Sequence, residues 1–237
     1  MKFILFTLAA LAACVSHAVA DNTTFAPPPL GVVGHTAVVA NNTVFIQGGE
    51  NKNGSLSTVS YAIILDSKGS LSNATFQDTS AIAQFTPRDF GIVIPYNGSI
   101  LTCGTTDGGR TDMTCDLFDT YTYNLSRTNF GLSSAGGNRG GMAVAISTSK
   151  AYIVGGYIGT TLSAATYVMN LSSNSSTPAW STTGSLPAGL KYHTATWVDG
   201  TTSGVLVLGG ISSLSILPLN SAQIYSSATG SWTQTPK

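Results

Sequence analysis

The sequence predicts an all-β fold assembled from four copies of one small antiparallel sheet, and three observations predict it. No stretch of useful length carries the 3.6-residue apolar period of a helix; short β-rich runs alternate instead with clusters of Gly, Asn, Ser and Thr. An apolar run ending in glycine recurs four times along the chain. The final glycines of these runs are 55, 52 and 54 residues apart, a spacing that marks structural repeats rather than chance.

Each repeat resolves into elements in the same order. A first strand is opened by a basic or histidine residue, in Gly34-His35-Thr36, Arg88-Asp89-Phe90, Arg139-Gly140-Gly141 and Lys191-Tyr192-His193. The second strand is the glycine-terminated run: Val44 to Gly49, Ile100 to Gly104, Tyr152 to Gly156 and Leu206 to Gly210. Third strands are expected at Tyr61 to Asp66, Tyr121 to Asn124, Tyr167 to Asn170 and Ile224 to Tyr225. A late aromatic closes each unit, at Phe76, Phe130, Trp180 and Trp232, on the outermost strand. The glycine pair is expected where a side chain would collide with the neighbouring unit. The opening basic or histidine residues are expected to bond backbone carbonyls of the adjacent unit.

Four strands per unit at this period is the arithmetic of a propeller blade. The chain resembles a kelch-repeat β-propeller and is similar to the propeller domain of galactose oxidase, from about Gly31 to Thr235. Cys103 departs from the pattern, standing where the first glycine of a pair is expected. The resemblance implies an all-β, kelch-type β-propeller with four recognisable blades. Kelch propellers usually have six or seven, so three arrangements are open: a closed four-bladed ring, an incomplete or open propeller, or two chains completing one ring. Unclosed blade edges are templates for self-association.

Composition narrows compartment and partners. Of the 237 residues only 8% are charged, and ten basic side chains balance ten acidic ones. That leaves no surplus of cations for nucleic acid and none for an anionic membrane surface. Residues 1–20 read as a secretory signal peptide: Lys2, an apolar run from Phe3 to Cys14, and the small-residue site Ala18-Val19-Ala20. Residues 21–30 form an N-terminal extension and 31–237 the propeller. No later segment has the roughly 18 apolar residues of a membrane-spanning helix. The protein is expected to be secreted and extracellular, without stable membrane insertion. Cys103 and Cys115 are then an even pair in an oxidising compartment, expected to form a disulfide around the intervening eleven residues, with two buried thiols as the alternative. Glycosylation sequons stand at Asn22, Asn41, Asn53, Asn73, Asn97, Asn124, Asn170 and Asn174.

Two functional readings follow. The resemblance to galactose oxidase implies that Tyr192-His193 could supply copper ligands, but that chemistry also needs a later histidine, and none follows His193. His35 fits a repeat position, and no cofactor is expected. Asp107, Asp112, Asp116 and Asp119 lack the interval of a calcium loop and read as a solvated loop with Asx turns. The favoured reading is a binding module for an extracellular glycan or protein. Its loops follow the glycine pairs, and in the second, Asp107, Arg110 and Asp112 concentrate charge in a chain that has little. Tyr192 and His193 complete the candidate binding residues. A galactose oxidase-like copper-radical oxidase and an inactive propeller fragment are the alternatives.

Overall fold

The computed structural model describes residues 32–58, 60–65, 75–78, 88, 91–104, 115–122, 124–128, 139–158, 161–172, 180–201, 203–213, 215–220 and 222–235. Every regular element among them is a strand. β1 (Val32–Val33) precedes blade one, which is β2 (Thr36–Ala40), β3 (Thr43–Gln47), β5 (Ser60–Ile64) and β6 (Thr75–Asp78); β4 (Glu50–Asn51) follows β3 and pairs back onto β1. Blade two is β7 (Ile92–Tyr96), β8 (Ser99–Cys103), β9 (Cys115–Asp119) and β10 (Leu125–Thr128). Blade three is β11 (Arg139–Ile146), β12 (Lys150–Ile158), β14 (Thr166–Asn170) and β15 (Trp180–Thr182), with β13 (Thr161–Leu162) on the end of β12. β16 (Leu190–Lys191) leads into blade four, which is β17 (Thr194–Val198), β18 (Gly204–Leu208), β21 (Ala222–Ser226) and β22 (Ser231–Gln234). β19 (Ile211–Ser212) and β20 (Ser215–Pro218) join β16 in a small sheet beside it.

Each blade is a four-stranded antiparallel meander, and the four stand as the blades of a β-propeller. The innermost strands follow one another in space: β2 packs on β7, β7 on β11, and β11 on β17. Each blade-to-blade seam has its own core. Phe45 and Ala62 meet Val93, Ile100 and Phe118 in the first, where Phe45 and Phe118 make an edge-on contact at 5.6 Å. Ile92, Ile94 and Leu101 meet Met142, Ile153 and Met169 in the second. Tyr152 and Val154 meet Val205, Val207 and Tyr225 in the third, and Trp197 stacks on Tyr152 at 5.5 Å. Strand alternation explains the pattern, since successive residues face opposite seams. Among the described residues β17 has no comparable packing against β2.

The glycine pairs act as expected at the first and third seams. A Cβ on Gly48 would lie 2.6 Å from the carbonyl oxygen of Arg88 in blade two, and one on Gly155 2.6 Å from that of Leu190, which leads into blade four. Both glycines also hold positive φ, +68° and +63°. At the other end of the blades, Asn41-Asn42 and Asn97-Gly98 form two-residue hairpin turns, with φ of 48°, 59°, 47° and 75°. Turns with two positive φ values match strand twist and favour Asn and Gly.

Register corrects two sequence expectations in blade two. Cys103 aligns with Gln47, Val154 and Leu208, each paired with the first residue of its third strand and each followed by glycine, so Gly104 and not Cys103 holds the first glycine position. The third strand is Cys115–Asp119 and not Tyr121 to Asn124; Tyr121 lies in the following turn and is exposed. Phe130 lies outside the described residues. The position opposite Phe118, matching Phe76 opposite Ile63, Trp180 opposite Met169 and Trp232 opposite Tyr225, belongs to Leu125. What the outer strand requires there is apolar bulk, and leucine supplies it without a ring.

Candidate functional site

The predicted binding loop, 105–114, leaves β8 and returns to β9, and both of its ends are held. Cys103 and Cys115 are register partners on these strands, fully buried, and joined by a disulfide. Arg88 reinforces the same base. Its Nη1 donates to the carbonyl of Gly104 at 2.6 Å, and its Nη2 lies 3.4 Å from Oδ2 of Asp116. Both members of this ion pair are buried, at 2% and 1% exposure. Desolvating two charges is costly, so such a pair persists only where geometry and further hydrogen bonds hold it. The backbone of blade one contributes as well: the N–H of Gly49 donates to the carbonyl of Arg88 at 2.7 Å. Thr102, next to Cys103, donates its hydroxyl across the seam to Oε1 of Gln47.

Asp107, Arg110 and Asp112 lie outside the described residues. Asp116 and Asp119, grouped with them in the sequence as solvated loop carboxylates, separate in the structure. Asp116 is the buried partner of Arg88, which corrects the expectation. Asp119 does form the expected Asx turn: Oδ1 accepts the N–H groups of Tyr121 and Thr122 at 2.8 and 2.9 Å. Those backbone bonds, Thr122 first, hold its carboxyl below the usual range. Arg88 also departs from expectation, since the carbonyl that its guanidinium bonds lies in its own blade.

His193 meets the expectation for opening residues. Its Nε2 donates to the carbonyl of Val154 in blade three at 3.1 Å. Burial of the ring pushes its pKa down to about 4, outweighing the opposing effect of that bond. Tyr192 instead is 50% exposed at φ 56°, with Nζ of Lys191 4.9 Å from its ring centroid. The Tyr192-His193 pair is therefore divided between solvent and seam. His35, at the equivalent register of blade one, is exposed. Among the described residues no three His, Cys, Asp or Glu side chains gather as a metal site.

The hairpin end of the blades carries an open depression of about 410 Å³ between the turns of blades one, two and three, lined by Asn41, Tyr96, Asn97, Ser147 and Leu171 among others. Among the described residues that line it, none is charged. Asn41 spans part of it, its Nδ2 donating to the hydroxyl of Thr120 at 2.5 Å. Of the sequons, Asn41, Asn53, Asn97, Asn124 and Asn170 are exposed, and Asn22, Asn73 and Asn174 lie outside the described residues. Neither a protein-family model nor a curated protein matches the chain.

Proposed function

We propose that the chain is a secreted, glycosylated propeller of kelch type that binds an extracellular glycan or protein through the 105–114 loop of blade two. The observation that carries the reading is the base of that loop: a buried disulfide, a buried ion pair and a hydrogen bond from Arg88 to Gly104 converge on its two ends. A loop held at both ends has less freedom to lose on binding, so more of its contact energy appears as affinity. Its charged residues, Asp107, Arg110 and Asp112, supply the polar contacts that a sugar or a protein surface would meet. The kelch assignment is supported by the glycine pairs and by the recurring four-stranded units.

The test is binding of the purified protein to a glycan array and to intact cell surfaces. Arg110→Ala is expected to reduce the signal at least about tenfold, equivalent to one charge-assisted contact. Binding that survives both Arg110→Ala and Asp112→Asn unchanged rejects this loop as the site. Aggregated or unsecreted material would favour an inactive propeller fragment.

A further inference from the structure

The same register position in successive blades shows what the last blade lacks. Phe45 and Ala62 in blade one, Leu101 in blade two and Tyr152 in blade three occupy the face that the next blade covers, and all are buried. In blade four the equivalent row is Thr196, Leu206 and Ile224. Among the described residues nothing comparable covers it: Ile224 is 37% exposed, and on the same face Val198 and Leu208 are 43% and 47% exposed. No charged side chain occurs in β17, β18 or β21. A free face of this size ordinarily carries charge to discourage pairing.

A second feature of blade four repeats the absence. Gly48 and Gly155 hold positive φ and receive the backbone of the following blade within 2.6 Å of a Cβ position. Gly209 stands at the same register with φ +69°, yet a Cβ there would meet nothing within 4 Å. The notch that admits a following blade is present without its occupant.

The matching surface lies at the other end of the chain. Blades two, three and four receive the preceding blade through the face that holds Phe118, Met169 and Tyr225. The equivalent of these residues in blade one is Ile63. Ile63 and Ile46 on that face are half-buried and Val39 is 55% exposed, while Val44 and Tyr61 are buried.

We propose that blade four of one copy docks against blade one of a second copy, head to tail, reproducing the seam that joins consecutive blades within the chain. Each copy carries one donor face and one acceptor face, both free of charge in their described side chains. Because the two faces differ, the contact is heterologous: it closes into a ring of copies or continues from copy to copy. It is independent of the 105–114 loop.

Sedimentation velocity over a range of concentrations tests the proposal on the full chain. The wild-type protein is expected to run at twice the monomer mass or more, in a concentration-dependent way. Leu208→Lys and Val39→Lys each block one face at an exposed position and are expected to weaken association at least about tenfold, with circular dichroism unchanged. Mixing these two variants leaves one unblocked donor and one unblocked acceptor, so dimers containing one of each should reappear. Gly209→Ala, which adds only a methyl at the notch, should weaken association without altering the monomer's strand content. A wild-type protein that stays monomeric overturns the proposal. So does association that persists in both lysine variants, or a mixture of folded variants that fails to re-associate. Ligand binding lost with Arg110→Ala but retained in Leu208→Lys would keep the fate of the loop reading separate.

Discussion

His193 in blade four donates a hydrogen bond from Nε2 to the carbonyl of Val154 in blade three, and this bond crosses the last seam inside a buried setting. The ring is neutral there, with its pKa lowered to about 4 by burial, whereas an unfolded chain protonates near 6.5. Below 6.5 the unfolded state therefore binds the extra proton first, and stability falls progressively as pH drops from 6.5 towards 4. The loss from this one group reaches on the order of 3 kcal/mol. Thermal unfolding followed across that range should show a declining midpoint, and His193→Gln should flatten the decline. A midpoint with the same slope in the variant would remove His193 as the cause.

Breaking the ion pair beneath the loop should be more damaging than replacing it. Arg88→Met or Asp116→Leu alone leaves a buried charge uncompensated and is expected to cost about 3–5 kcal/mol. The double variant should cost clearly less than the sum of the two. Urea unfolding of the three proteins gives the coupling directly, and additive losses would show that the two groups do not act as a pair.

The disulfide should stabilise mainly by restricting the unfolded chain. Cys103 and Cys115 are 12 residues apart in sequence, and closing a loop of this length contributes about 3 kcal/mol in the chain-entropy description. The double Cys→Ser variant, measured without reductant, should lose roughly that amount. The wild-type protein should lose a similar amount on reduction.

Glycine replacement should discriminate between seams. Gly48→Ala places a methyl 2.6 Å from the carbonyl oxygen of Arg88, and Gly209→Ala places one in open space, at nearly the same φ. Both variants carry the left-handed backbone strain of about 1–2 kcal/mol. Gly48→Ala should lose a further 1–3 kcal/mol or so, because the first seam must open to admit the methyl. Equal losses in the monomeric proteins would contradict the assignment of Gly48 to a blade contact.

How much was legible in the sequence depended on whether a feature is local. The glycine pairs announce themselves because a positive φ and a close backbone approach both demand the absence of a side chain, and they recur at a fixed interval. Strand alternation is equally local, which is why the seam residues Phe45, Ile153 and Val205 can be read from their own strands. The Arg88–Asp116 pair was hidden, because only the register of β8 against β9 carries Asp116 out of the loop and beneath Gly104. Aromatic residues misled in blade two: Tyr121 sits in a turn, and Leu125 fills a position that its sister blades give to Phe76, Trp180 and Trp232. The binding loop's charged residues were legible as an anomaly of composition, and the structure speaks to its two anchored ends.

Three separate cores, one per seam, have a consequence for how the molecule comes apart. Among the described residues each blade shares apolar packing only with its sequence neighbours, so stability is a sum of nearest-neighbour terms rather than the property of one common interior. Blades two and three have two such neighbours each and should exchange their amide protons slowest, at the cost of global opening. Unfolding then works inward from the ends, with the last strands, β21 and β22, among the first to lose protection. A protease that trims blade four would leave the first two seams intact, turning one molecule into a shorter version of itself.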